Sequence, residues 1–110
     1  MSSLNELALD GYLIARAHGF WDEPVNFPEK LALIHSEVSE ALEDYRNGHA
    51  ATLTWTEADG KPKGIPSELA DIIIRTLDIA AYYEINIQEA VDTKMAYNKT
   101  RAYRHGNKRA

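Results

Sequence analysis

Leu4, Leu7, Ala8, Gly11, Tyr12 and Ala15 recur at intervals of three and four residues, which places them on one face of an α-helix. Ser3-Leu4-Asn5-Glu6 has the form of a capping box, so a first helix is expected from there to about His18-Gly19. Asn26-Phe27-Pro28-Glu29 opens a second helix, with proline early, where its missing N–H is not needed. Leu31, Ile34, Val38, Ala41, Leu42 and Tyr45 carry its apolar stripe to Arg46 or Asn47, ahead of Gly48. A third helix is predicted from about Pro66-Ser67 to Tyr83. Ile65, Leu69, Ile72, Ile73, Thr76, Leu77 and Ala80 lie on one side of it, with Ile74 and Ala81 nearly opposite. A helix apolar on both sides of a small chain implies burial by a second subunit. Asn86-Ile87-Gln88-Glu89 has the capping-box form again and starts a fourth helix to about Ala102, and the short join before it implies that helices three and four pack antiparallel.

Residues 48–64 break this pattern. Thr52 to Thr56 reads as a short strand, Asp59-Gly60 as a turn, and the segment is longer than an ordinary helix–helix connection, as a functional flap would be. The expected architecture is all-α, a four-helix bundle that self-associates, with a long flap between helices two and three, in a single domain over 1–110.

Composition narrows the function. With 45% hydrophobic and 26% charged residues the chain is globular, and it has no apolar run of the roughly 20 residues that span a bilayer. The start of the sequence does not have the form of a signal peptide, so the cytoplasm is the expected location and no membrane partner is expected. The absence of cysteine removes disulfides, thiolate metal sites and thiol chemistry. All 17 acidic residues fall in 1–92 and six of the 12 basic ones in 93–110, leaving a body of −11 and a terminal stretch of +6. An acidic body argues against a duplex-binding module and suits a protein that holds divalent cations.

Glu37 and Glu40 stand three residues apart, on adjacent turns of one helix side, and Glu68 and Asp71 repeat the spacing on the third helix. Glu43 and Asp44 extend the first acidic side. Pairs like these also occur on plain solvated faces. Packed together, however, four carboxylates oppose one another's ionisation, and Mg2+, or Mn2+ in its place, relieves that cost with oxygen ligands. Lys94, Asn98 and Arg101 form a complementary stripe on the fourth helix, suited to phosphate oxygens or simply to the helix dipole. Tyr97, Tyr103, Arg104, His105 and Arg109 add aromatic and cationic groups that suit a nucleotide. His18, His35, His49 and His105 have no metal-ligand spacing.

These residues together resemble the all-α nucleoside triphosphate pyrophosphohydrolases of MazG-like type. Glu37-Val38-Ser39-Glu40 is similar to the second part of that family's first acidic motif, and Glu68-Leu69-Ala70-Asp71 to its second motif. Lys94 to Arg101 resembles the third segment, with Tyr103-Arg104-His105-Gly106 as its extension. The likeness covers roughly 27–106. One position departs from it: Ser36 stands where the family often carries a further glutamate.

The resemblance implies Mg2+-dependent hydrolysis of (deoxy)nucleoside triphosphates to monophosphate and pyrophosphate, in the manner of nucleotide-pool house-cleaning. It implies Glu37, Glu40, Glu68 and Asp71 as metal ligands, with Glu37, Glu40 and Lys94 catalytic and Glu40 touching the attacking water. Lys94, Asn98, Arg101, Tyr97 and Arg104 would bind the substrate. Trp55 in the flap and Phe20-Trp21 after the first helix are candidates for base stacking or for packing. The implied partners are a nucleoside triphosphate and further copies of the chain, as a homodimer or homotetramer. Two other functions fit the same residues: a phosphoribosyl-ATP pyrophosphohydrolase, and a helical dimer that binds nucleotide without cleaving it.

Overall fold

A computed structural model describes residues 3–101. The elements run α1 (Leu4–Ala17), α2 (Phe27–Arg46), β1 (Trp55–Thr56), β2 (Pro62–Lys63), α3 (Ile65–Tyr82) and α4 (Ile87–Thr100). Among the described residues no helix is long and apolar enough to cross a membrane.

The helix starts follow the local sequence closely. Ser3 caps α1 through Glu6 N–H, and Glu6 accepts from Ser3 N–H in return, completing the box. Asn26 caps α2 through Glu29 N–H, with Pro28 in the first turn. Asn86 caps α4 through Glu89 N–H, but Glu89 accepts from the Asn86 side-chain amide rather than from its backbone, so the expected box forms only on one side.

The first three helix ends share one device. After the caps His18, Asn47 and Tyr83, the next residue enters the left-handed region and the one beyond donates back five residues, Phe20 N–H to Ala15, His49 N–H to Asp44 and Ile85 N–H to Ala80. Glycine takes the left-handed position in α1 (Gly19) and α2 (Gly48), whereas Glu84 takes it after α3 with φ 54°.

α3 is the central helix, packed on α1 along one side and α2 along another. The buried apolar set is small: Ala8 and Ala15 from α1, Ile65, Leu77, Ile79 and Ala80 from α3. Gly11 lets α1 approach α3, since a Cβ there would lie 3.3 Å from Asp78 Oδ1. An aromatic group closes one end: Trp21 stacks on Tyr82 at 4.7 Å, Tyr12 meets both edge-on, and Phe27 meets Tyr83.

Two sequence expectations are corrected, the extent of the strand and the packing partner of α4. The strand predicted over Thr52 to Thr56 is only Trp55–Thr56, paired antiparallel with Pro62–Lys63 around the Asp59-Gly60 turn. On α3, whose burial is expected from a second subunit, Leu69 and Ile73 are exposed in the single chain. And α4 finds its packing partner in α1 rather than α3. Side-chain hydrogen bonds explain that choice: Leu4 N–H donates to Gln88 Oε1 (2.9 Å), Asn5 Nδ2 to Asn86 Oδ1 (2.9 Å) and Gln88 N–H to Asn5 Oδ1 (3.2 Å). Each helix thereby satisfies a start-of-helix donor of the other.

Candidate metal centre

Glu37 projects from the middle of α2 and Glu68 from the first turn of α3, and the packing of these helices brings the two side chains together. Glu37 is 7% exposed and Glu68 9%, a rare depth for glutamate. One oxygen from each of Glu37, Glu40 and Glu68 lies within 4.8 Å of the others. Oxygens sharing one octahedral ion at about 2.1 Å would be spaced about 3–4.2 Å apart, so small side-chain rotations would close the set.

The electrostatics show how unequal these carboxylates are. Burial and then the neighbouring Glu37 and Glu40 push Glu68 up to about 8. Burial also pushes Glu37 upward, but the proton offered by Glu68 and the Arg75 guanidinium outweigh it and hold Glu37 below the usual range. Arg75 Nε donates to Glu37 Oε1 at 3.0 Å. At neutral pH the pair therefore keeps one proton, on Glu68. Oε2 of Glu68 is buried with no hydrogen-bond partner among the described residues. Asp71, one turn beyond Glu68, is raised by burial and by Glu37, with Arg75 and Lys61 opposing.

These groups line a cleft of about 430 Å3. Its lining is mostly acidic, with Glu43 and Asp44 beside the triad, and also includes Lys61 and Lys63 of the hairpin and Ser67. A second cleft of about 510 Å3 is lined by apolar groups including Ile14, Phe20, Leu33, Ile74 and Ile79. Asp71 and Arg75 belong to both walls, so the two clefts adjoin across one turn of α3.

Of the residues singled out from sequence, Glu37, Glu40 and Glu68 come together and Asp71 lies beside them. Lys94, Asn98 and Arg101 do not line this cleft; they are exposed on and just after α4, with Lys94 and Arg101 5.7 and 5.8 Å from the Tyr97 ring. Trp55 packs edge-on against His49 at 4.9 Å and lines neither cleft. Trp21 has Tyr82 stacked on its ring and Lys30 Nζ 4.2 Å from its centroid, and with Phe20 it lines the second cleft. Ser36 is exposed and outside the cleft lining. Tyr103, Arg104, His105 and Arg109 lie outside the described residues.

Arg75, Lys61 and Lys63 were missed from sequence. Arg75 continues the Glu68, Asp71 stripe at i+7, a signal that a search limited to acids passes over. The lysines follow a turn whose return point only the folded hairpin reveals.

No family model, no curated protein and no solved structure matches this chain.

Proposed function

We propose that this protein is a Mg2+-dependent nucleoside triphosphate pyrophosphohydrolase whose ion is held by Glu37, Glu40, Glu68 and Asp71. The observation that carries this reading is Glu68: a buried carboxyl with an orphaned oxygen, facing two further carboxylates, is costly unless a proton or a cation resides there. An all-oxygen donor set of this kind fits Mg2+ or Mn2+. When bound, the ion supplies Lewis-acid polarisation of the phosphate oxygens.

The chain's own residues support the rest of the reaction. Glu40, the exposed member of the triad, is assigned the role of touching and orienting the attacking water. Attack on the α-phosphorus forms one P–O bond and breaks that to the β-bridging oxygen, and pyrophosphate leaves with the electron pair. The adjoining apolar cleft of about 510 Å3 is of the right size and character for a nucleoside. Lys94, Asn98 and Arg101 reach such a site from another copy of the chain, because their helix stands clear of it within one chain. Self-association as a dimer or tetramer belongs to this proposal.

The test is a panel of ribo- and deoxynucleoside triphosphates with and without Mg2+, with products resolved by chromatography. Monophosphate and pyrophosphate formed only with metal, and lost in Glu40→Gln and Asp71→Asn with helical circular dichroism retained, is the expected result. Turnover surviving in both variants would remove the metal assignment. Diphosphate with orthophosphate would move the cleaved bond. Nucleotide bound without product would favour the non-catalytic dimer, and cleavage of phosphoribosyl-ATP alone would change the substrate.

A further inference from the structure

The cleft that holds the carboxylates is not acidic on every side. The β1–β2 hairpin returns from the Asp59-Gly60 turn and brings Lys61 and Lys63 into the lining of the cleft that Glu37, Glu40 and Glu68 share. Neither lysine forms an ion pair within 4 Å among the described residues, although carboxylates surround the space they face. Two cations left unpaired in a cleft lined by carboxylates leave room for an intervening ligand that carries both positive and negative charge. A metal complexed to a polyphosphate is such a ligand.

The hairpin is also held in place rather than hanging as a loose loop. Ser67 Oγ, on the first turn of α3, donates to Pro62 O at 3.2 Å, and Lys61 N–H donates to Asp59 Oδ1 at 3.0 Å. Gly64 adopts φ 111° directly before α3, and a Cβ there would collide with the Leu53 carbonyl oxygen, so the incoming flap strand is pressed against the outgoing one. Lys61 and Lys63 are thus anchored at the same end of α3 that carries Glu68.

We propose that the hairpin is the anion-holding element of this site, with Lys61 and Lys63 of the same chain gripping the non-bridging oxygens of a metal-complexed polyphosphate in the carboxylate-lined cleft. The proposal rests on the metal–nucleotide reading above and deepens it, since it supplies phosphate-holding cations within one chain, whatever α4 of another copy adds.

Calorimetry on the full chain tests it with three probes: Mn2+ alone, tripolyphosphate with Mn2+, and an α,β-imido deoxynucleoside triphosphate with Mn2+. The Lys61→Met/Lys63→Met variant is expected to keep wild-type affinity for Mn2+ and to lose at least about tenfold in affinity for both polyphosphates, the scale of a lost charge-assisted hydrogen bond. Lys61→Arg/Lys63→Arg should recover most of that loss, which excludes a folding defect. Tighter binding of the nucleotide analogue than of tripolyphosphate by wild type assigns the source of the phosphates to a nucleotide. Unchanged polyphosphate affinity in the methionine variant, with Mn2+ still bound, would overturn the role of the lysines and leave the metal reading standing. Wild type binding neither Mn2+ nor its polyphosphate complexes would overturn both.

Discussion

Glu37 and Glu68 meet across the α2–α3 interface with unequal company: Glu37 receives Arg75 at 3.0 Å, whereas Oε2 of Glu68 has no partner among the described residues. That inequality decides which of the two keeps the proton. The cation beside Glu37 holds it ionised, and its negative charge then raises Glu68 further than burial alone. On the proposed function, a divalent ion entering the cleft would displace that last proton and link folding, protonation and metal binding at one pair of residues.

The first prediction follows from that proton. Between its ordinary value of 4.5 and about 8, Glu68 binds more proton in the folded than in the unfolded state, so stability declines as pH rises through this window. Metal-free protein should therefore lose melting temperature across it, by at least about 5 °C. Glu68→Gln, neutral at every pH, should flatten the profile, and saturating Mn2+ should restore stability at the alkaline end. Thermal denaturation in chelator and in Mn2+ measures all three. A flat wild-type profile in chelator would mean that Glu68 ionises freely.

Arg75 provides the second. Removing its guanidinium strands Glu37, only 7% exposed, without a cation. Loss of one partner of a fully buried pair costs about 3–5 kcal/mol, but Arg75 itself is 42% exposed, so about 2 kcal/mol is expected for Arg75→Met after solvent screening. Urea unfolding in chelator should show that loss, and Mn2+ should recover more than half of it by taking over as counter-ion. An equal loss with and without Mn2+ would indicate that Arg75 acts through packing alone.

Helix boundaries were legible in the sequence because they are decided locally. Ser3 with Glu6, Asn26 with Pro28, and Gly48 after Asn47 act within one turn, and the observed ends of α1 to α3 fall within two residues of those expected. The acidic triad was legible for a related reason: Glu37, Glu40 and Glu68 border apolar stripes, and burying the stripes brings the acids along. What the sequence hid depends on contacts between distant residues. Nothing near Gln88 says that its side chain will cap α1 at Leu4 and draw α4 to that helix. Lys61 and Lys63 belong to the cleft only because the Asp59-Gly60 turn reverses the chain, and the extended stretch predicted from Thr52 shrinks to Trp55–Thr56 because only those residues gain a paired strand.

Gly64 makes the third prediction. Alanine would meet the Leu53 carbonyl and would hold φ 111° at a steric cost, so Gly64→Ala should destabilise the fold by about 2 kcal/mol. The damage should be uneven. With the hairpin displaced, tripolyphosphate affinity is expected to drop more than Mn2+ affinity, because Glu37 and Glu40 on α2 do not depend on the flap. Calorimetry with both probes separates this from a general loss of structure, which would lower the two together.

The apolar surface left open carries the last prediction. In a single chain Val38 and Leu42 on α2 and Leu69, Ile73 and Ile74 on α3 are each about half exposed, at 51, 48, 50, 57 and 48%. Burying such a set on a second copy at about 25 cal/mol per Å2 would supply the stability that six small or medium buried residues cannot. Light scattering should therefore find wild type as a dimer or tetramer, and Ile73→Glu, the most exposed of the five, should shift it toward monomer with helical content retained. Activity of that monomer then apportions the cations. If Lys94 and Arg101 act from another copy, turnover falls with dissociation even though the carboxylates, Lys61 and Lys63 remain in place. If turnover survives in the monomer, the hairpin lysines suffice, and the cationic end of α4 serves some purpose other than holding phosphate.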